Sequence, residues 1–331
     1  MKLGLHAHAL LLAGGLRDYQ PVGRGTLTAA QLLDKAAQLK FAAVQIARLN
    51  VSSDPISQWD MVMLVNLRRQ AEELDLQLHL STNMLLGEHL ADLIRAAYTM
   101  GAVQVTVGLA CLQGNVQQRQ HTLEHILGDL DVAIKAAERY KVMLAIENGH
   151  HTSAADLAAL VQAAQSDWVG ACYDMGNALT VPENPVEAAE LLAPYCKSAH
   201  MKDLQVYRSA DGAILVNCPI GEGILELTDV LRALNTRQPD MPIFLQTAAE
   251  RLAVPLLNDD FLQQYPRITA RALAGLLRRG TLVYPDDELR FPHEQKTSER
   301  EVLKWEDDRL KRSLKQAQKL MGTQSLTLLL E

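Results

Sequence analysis

Three things are missing from this 331-residue chain. There is no basic excess: 32 Lys and Arg stand against 39 Asp and Glu, a net charge of −7, and no basic stripe runs through the sequence. A polyanion finds no electrostatic footing on such a chain, so nucleic acid is not an expected partner. There is no CxxC pair, for Cys111, Cys172, Cys196 and Cys218 are far apart. Three of them lie in or beside apolar runs, and the expectation is buried thiols in a reducing cytoplasm rather than a disulfide frame. Finally, no run approaches the ~20 apolar residues of a membrane span, so no membrane partner is expected. The opening MKLGLHAHALLLAGG has the look of a short signal peptide. Its two histidines and its fit as a first strand favour the strand reading.

What is present is the composition of an ordinary soluble globular protein, 48% hydrophobic and 21% charged. The length suits one large domain or two average ones, and an α/β barrel of about 250 residues with an extension falls within it. The informative stretch runs from Tyr140 to Gly223 and holds three apolar runs that each stop at a potential metal ligand. KVMLAIENGHH stops at Glu147, VGACYDMGN at Asp174 and CKSAHMKD at His200. Runs of this length followed by helix-like sequence read as buried parallel strands. Parallel strands joined by helices bring their C-terminal ends to one face, so the three side chains are expected at one barrel mouth.

The rest of the chain fits the same alternation. Leu3 to Leu10 reads as strand one, with His6 and His8 on one face, and FAAVQIARLN as strand two. Between them Thr28 and Gln31 form a capping box for a helix ending near Lys40. Asp54 and Pro55 start the next helix. Leu76–Asn83 and Ala102–Ala110 follow as strands three and four, and His121–Tyr140 as the helix leading into strand five. Ser153 with Asp156, and Asn184 with Pro185 and Glu187, mark the next two helix starts. Met241–Glu250 is strand eight and Asp259–Arg279 its helix, which completes an α/β fold of the (β/α)8 TIM-barrel kind over residues 1–284. Residues 285–331 read as a C-terminal helical extension. Leu303, Leu310, Leu314, Ala317 and Met321 make a seam in it that fits the barrel's own surface or a homo-oligomer contact. The terminal SLTLLL needs cover.

Two carboxylates and an imidazole at one rim suit a single divalent cation, with Mn2+, Mg2+ or Co2+ favoured by the hard oxygens and Zn2+ allowed. Such a site can hold a carbonyl and a neighbouring hydroxyl, lower the cost of removing the proton between them and stabilise the enediolate. A carboxylate beside it shuttles the proton.

The segments IENGHH, YDMGN, HMKD and PIGEG (Pro219–Gly223) resemble the xylose isomerase-like TIM barrel superfamily, and within it the sugar phosphate isomerase/epimerase family. That group includes ketose 3-epimerases, hydroxypyruvate isomerases, inosose dehydratases and 3-dehydroshikimate dehydratases. The resemblance spans residues 1–280 and is strongest between Ala145 and Gly223. It implies one divalent cation held by Glu, Asp, His and Glu at the ends of strands five to eight. These positions fall here on Glu147, Asp174, His200 and Gln246, so the fourth departs from the pattern. Glutamine can coordinate through its carbonyl oxygen but cannot take a proton at neutral pH. Two-base epimerisation is therefore in question unless Glu250, one helical turn further on, reaches in. One-base chemistry through Glu147 survives.

The resemblance also makes Lys202 a catalytic candidate facing the substrate or Glu147, against a plain ion pair with Asp203. Asn177 sits three residues after Asp174, where ketose epimerases carry a substrate-binding histidine, which implies a substrate contact against a plain turn residue, and Glu222 resembles the family's pocket-shaping loop after strand seven, against glycines that simply allow a turn. Arg208 suits a substrate phosphate or carboxylate, against a charged loop residue. Of His6 and His8 one is a candidate substrate contact, with His8 put forward, against a satisfied interior histidine; of His150 and His151 one orients Glu147 or lines the pocket, with His150 put forward as the substrate contact. His79, His121, His125 and His293 show no constellation. The leading expectation is a cytoplasmic metal-dependent isomerase or epimerase-like enzyme acting beside the carbonyl of a small keto-sugar, keto-acid or sugar phosphate, with Glu147 as base. The alternatives are a dehydratase or lyase on a polyhydroxy ketone at the same site, and a non-catalytic sugar-binding or partner subunit suggested by Gln246. The superfamily's endonucleases assemble several zinc ions from more ligands than these strand ends supply.

Overall fold

The computed structural model describes residues 1–17, 20–21, 27–47, 59–83, 87–108, 116–150, 152–181, 183–265, 269–282 and 290–327. The apolar runs become eight parallel barrel strands: Lys2–His6, Ala43–Ile46, Gln77–Asn83, Gln104–Gly108, Met143–Glu147, Val169–Asp174, Cys196–Met201 and Pro242–Leu245. Each pairs with its neighbours in sequence order. The cylinder closes where Leu3 of strand one registers with Ile243 of strand eight and Leu5 registers with Val44 of strand two. Strand one is shorter than expected. It stops at His6 because that imidazole accepts the His8 N–H at 2.9 Å and caps a 3-10 turn over Ala7–Leu10. His6 and His8 are thus not alternate residues of one strand, although their rings still meet at 4.6 Å.

Helices α1 (Ala29–Gln38), α2 (Met61–Glu73), α3 (Gly87–Thr99), α4 (Val116–Tyr140), α5 (Ala154–Ala163), α6 (Pro185–Leu192) and α7 (Leu227–Arg237) connect the strands. The start signals at Thr28 and Gln31, Ser153 and Asn184 are all observed as caps, Thr28 with its reciprocal box. Asp60 caps α2, while the expected start at Asp54 and Pro55 lies outside the described residues. Cys172, Cys196 and Cys218 are free and buried, and Cys111 is outside the described residues.

Two features depart from the simple alternation. After strand seven the chain makes an antiparallel hairpin, Asp203–Ser209 with Gly212–Cys218, extended by Arg251–Val254 and by Thr281–Leu282. Gly212 turns it at φ 151, where a side chain would meet the Val254 and Leu256 backbone. The expected strand-eight helix is split into α8 (Asp259–Gln263) and α9 (Ala270–Arg279). Neither joins the ring of helices: Phe261, Tyr265 and Leu276 bury against Leu204, Val206 and Leu215 of the hairpin.

The eighth place in the ring goes to α10 (Glu299–Thr327). It packs on α7 and on the turn after strand one, and Lys35 of α1 pairs with Asp307 at 2.5 Å. Leu310, Leu314 and Ala317 are buried in the barrel's main apolar core, so these three residues of the seam read from the sequence pack on the protein's own barrel. The last segment of the chain, residues 328–331, lies outside the described residues.

Candidate metal centre

Barrel strands carry alternate side chains inwards, and an inward residue at a strand's C-terminal end faces the mouth. Glu147 ends strand five, Asp174 ends strand six and His200 lies next to the end of strand seven, registered opposite Asp174. One potential ligand atom from each lies within 4.8 Å of the other two, and all three residues are buried. His200 Nδ1 is 3.2 Å from Glu147 Oε1 and 3.6 Å from Asp174 Oδ2.

Each ligand is oriented by polar neighbours. The Asn148 amide grips the Asp174 backbone, accepting its N–H at 2.6 Å and donating to its carbonyl at 3.0 Å. Asp174 Oδ1 then accepts the N–H groups of Gly176 and Asn177 at 3.0 and 3.1 Å, a turn that aims Oδ2 at Lys202 Nζ, 2.9 Å away. Glu147 Oε1 lies 3.5 Å from the Asn177 amide, whose nitrogen also donates to the Asn148 carbonyl. His200 Nε2 meets Gln45 Oε1 at 2.8 Å. The Gln45 nitrogen is committed to Thr106 Oγ1 at 2.7 Å, and Thr106 also accepts from Gln104, which donates to Ser198. With its carbonyl oxygen on His200, Gln45 demands a proton on Nε2 and turns Nδ1 towards Glu147 and Asp174, the side on which a cation could replace the Nδ1 proton.

The electrostatics match a cation site. Burial pushes the Asp174 carboxyl up, but Lys202 and His200 overcome this and hold it well below the usual carboxylate range. Burial pulls His200 down, yet Cys172, Glu147 and Asp174 more than reverse that and raise it well above 6.5. Lys202 is likewise raised: Asp174, Glu250 and Glu147 outweigh its burial. The carboxylates thus gather positive charge from whatever is available. Gln246 adds a buried carbonyl oxygen, Oε1, that has no hydrogen-bond partner among the described residues. The donor set of two carboxylates, an imidazole and a spare amide oxygen fits a divalent cation.

The other sequence candidates divide. Lys202 joins the cluster and also donates to Asn177 Oδ1 at 3.3 Å. The Gln246 amide lies 3.4 Å from His8 Nδ1. His150 stands at the mouth, 3.7 Å from Glu250, and His151 is outside the described residues. Arg208 and Glu222 are not brought to the cluster. The hairpin carries Arg208 outwards, where its Nε donates to the Leu277 carbonyl at 2.9 Å, and Glu222 pairs with Arg312 on α10 at 2.7 Å. Nor does Lys202 pair with its neighbour Asp203. The PIGEG loop wraps the Asp203 carboxylate in the N–H groups of Gly221, Gly223 and Leu225, and a Cβ at Gly223 would run into it. That loop therefore anchors the hairpin base. Gln45, Gln104, Thr106 and Ser198 were missed as site supports; their signal is polar residues at inward positions of otherwise apolar strands.

A family model described as the xylose isomerase-like TIM barrel matches residues 33–261. The chain is 26% identical over 228 residues to the 3-oxo-isoapionate decarboxylase of Pectobacterium atrosepticum, covering 68% of this chain and 78% of that protein. Among solved structures an L-ribulose 3-epimerase aligns with TM-score 0.59 at 13% identity, covering 99% of this chain and 97% of that one. A zinc-bound IolI protein aligns with TM-score 0.55 at 15% identity, covering 83% and 99%. At these identities the two solved structures show a shared fold.

Proposed function

The chain belongs to the xylose isomerase-like TIM barrel family, and from that premise we propose that it is a divalent-metal-dependent enzyme that makes an enediolate from a small carbohydrate ketone. The convergence of Glu147, Asp174 and His200 at one rim carries this reading. These three side chains, with Gln246 Oε1, would hold the cation, Mn2+, Mg2+ or Co2+ by preference. When bound, it supplies the positive charge that stabilises the developing oxyanion.

The chain's own residues do the remaining work. Glu147, steadied by Asn177 and His200, takes the proton from the carbon next to the carbonyl. Lys202, bonded to Asp174 and Asn177, faces the substrate oxygens as a fixed positive charge. His8, His150 and Asn177 border the space a sugar would fill. Buried walls keep bulk water from the carbanion.

A second reading is decarboxylation of a 3-keto acid at the same rim. The likeness to a decarboxylase and the replacement of a second carboxylate by Gln246 favour it. Where carbon 2 of that acid carries a hydroxyl, breaking its bond to the carboxylate releases CO2 and leaves the bonding electron pair in an enediolate of the same kind, so no base is needed to form it.

Elemental analysis followed by proton NMR in D2O over ketopentoses, ketohexoses and 3-keto acids tests both. The expected result is about one ion per chain and a substrate C–H signal that washes out with the metal present. Chelation and Glu147→Gln should each lower that rate by 10³-fold or so. Exchange that persists through both removes the isomerase reading, and CO2 release without exchange selects the second.

A further inference from the structure

One lysine lies between a carboxylate of the metal centre and a carboxylate outside it. Lys202 carries three N–H donors on a flexible stem. Its Nζ is 2.9 Å from Asp174 Oδ2, 3.3 Å from Asn177 Oδ1 and 3.7 Å from Glu250 Oε2. The last distance is too long for a hydrogen bond, and a movement of about 1 Å closes it. Glu250 is itself held in place by the hairpin. Its Oε2 accepts from Asn217 Nδ2 at 3.2 Å, and its backbone carbonyl accepts the Asn217 N–H at 3.0 Å. The ammonium is thus bonded to one carboxylate and just short of the other.

Asp174 has a single oxygen to offer a cation. Its Oδ1 is committed to the N–H groups of Gly176 and Asn177 at 3.0 and 3.1 Å. Its Oδ2 lies 3.6 Å from His200 Nδ1 and holds Lys202. The atom that faces the other proposed ligands is therefore the atom that anchors the lysine. Two cations drawn to one oxygen repel strongly where water does not screen them, and here the Asp174 side chain is 0% exposed and that of Lys202 is 5%. Glu250 is the one other carboxylate in ion-pair reach of Nζ among the described residues. It offers the ammonium a second seat, on the hairpin side.

We propose that Lys202 competes with the divalent cation for Asp174 Oδ2 and yields to Glu250, so that the partition of one ammonium between two carboxylates sets the metal affinity of the site. This rests on the metal-centre reading above. Asn177 Oδ1 keeps its hold throughout, so Lys202 remains a positive charge at the mouth. Glu250 acts on the metal through Lys202 and not as a ligand.

The test is a Mn2+ titration of the full-length protein, stripped by chelation and dialysed, against a chromogenic chelator at neutral pH. Lys202→Met should bind Mn2+ about tenfold tighter or more, because the competitor is gone. Glu250→Gln should bind it about tenfold weaker, because the ammonium loses its second seat. The two changes should not add: Glu250→Gln made in the Lys202→Met background should leave the affinity within about threefold of Lys202→Met alone. Lys202→Gln gives the same readout if the methionine variant does not fold. Equal or weaker binding by the Lys202 variants shows that the lysine supports the cation, and overturns the proposal. An unchanged affinity in Glu250→Gln overturns it too, as does a Glu250 effect that persists without Lys202, which marks a plain field effect. The metal reading survives all three. Absence of Mn2+ binding in the unaltered protein and in both Lys202 variants removes that reading and the proposal together.

Discussion

The two walls of the barrel mouth are built in opposite ways. The wall of strands five to seven draws Glu147, Asn148, Asp174, Asn177 and His200 from one stretch of chain, and they hold one another through direct hydrogen bonds. The wall of strands eight and one has little local support of this kind. Its turns are held by α10, which arrives from the far end of the chain. Glu306 accepts the N–H groups of Leu12 and Ala13 at 2.7 and 2.9 Å, and Arg309 donates to the carbonyls of Thr247 and Ala248, the residues just after Gln246. Burial lowers the Arg309 pKa to about 10, which leaves the guanidinium charged at neutral pH. One wall thus carries the proposed cation ligands on adjoining strands, while the other is positioned by remote charged clamps.

The strongest way to break this contrast is to cut a clamp. Glu306→Ala removes two charge-assisted hydrogen bonds, one buried and one partly buried, and we expect it to lower unfolding free energy by roughly 3 kcal/mol in urea denaturation. Bound metal per folded chain should stay at the level of the unaltered protein, because nothing on the other wall is touched. A variant that loses its metal first would show that the two walls form one unit.

A smaller effect should follow from disturbing the ligand wall at its base. Gln45→Leu removes the acceptor that holds His200 Nε2–H, and a lost outer partner of a ligating histidine typically costs about 10–100-fold in metal affinity. Titration against a competing chelator measures it directly. Affinity within threefold of the unaltered protein would mean that strand seven alone orients the imidazole.

The same contrast explains what could be read in advance. Glu147, Asp174 and His200 each end a short apolar run, and capped helices between the runs force those ends onto one rim, so the ligand wall was legible locally. Gln45 was not, because a lone glutamine in a strand acquires its role only when closure sets it beside a histidine 155 positions away. The clamp from Glu306 to Leu12 spans 294 positions and leaves no periodicity to detect. The α10 seam was visible, but not that it would displace α8 and α9 from the ring. That displacement follows from the hairpin, whose apolar face needed cover and took it from Phe261, Tyr265 and Leu276. Arg208 reads as a substrate contact because a guanidinium suits a phosphate or carboxylate, and Glu222 because PIGEG resembles the family's loop after strand seven. The hairpin turns the first outwards, and the Asp203 cradle leaves the second facing α10.

The smallest expected effect concerns histidines outside the ligand set. His79 on strand three is buried against Phe244 of strand eight, and its Nδ1 has no hydrogen-bond partner among the described residues. Burial, with Lys2 adding to it, lowers its pKa from 6.5 to about 3. The depressed value means that the folded chain keeps this ring neutral while the unfolded chain takes up a proton below pH 6.5. The stability it contributes is complete above 6.5 and is lost steadily as the pH falls towards 3. His79→Leu removes that proton uptake from the unfolded state. Between pH 6.5 and 5 the variant should therefore lose about 1–2 kcal/mol less unfolding free energy than the unaltered protein, whatever its absolute stability at pH 7. Asp174 sits on the other wall and is also depressed, so its loss falls at lower pH, through the carboxylate range. Urea midpoints measured every half pH unit separate the two. A variant with the same acid slope as its parent would mean that water or a shifted proton already satisfies the ring, and that acid sensitivity belongs to the ligand wall alone.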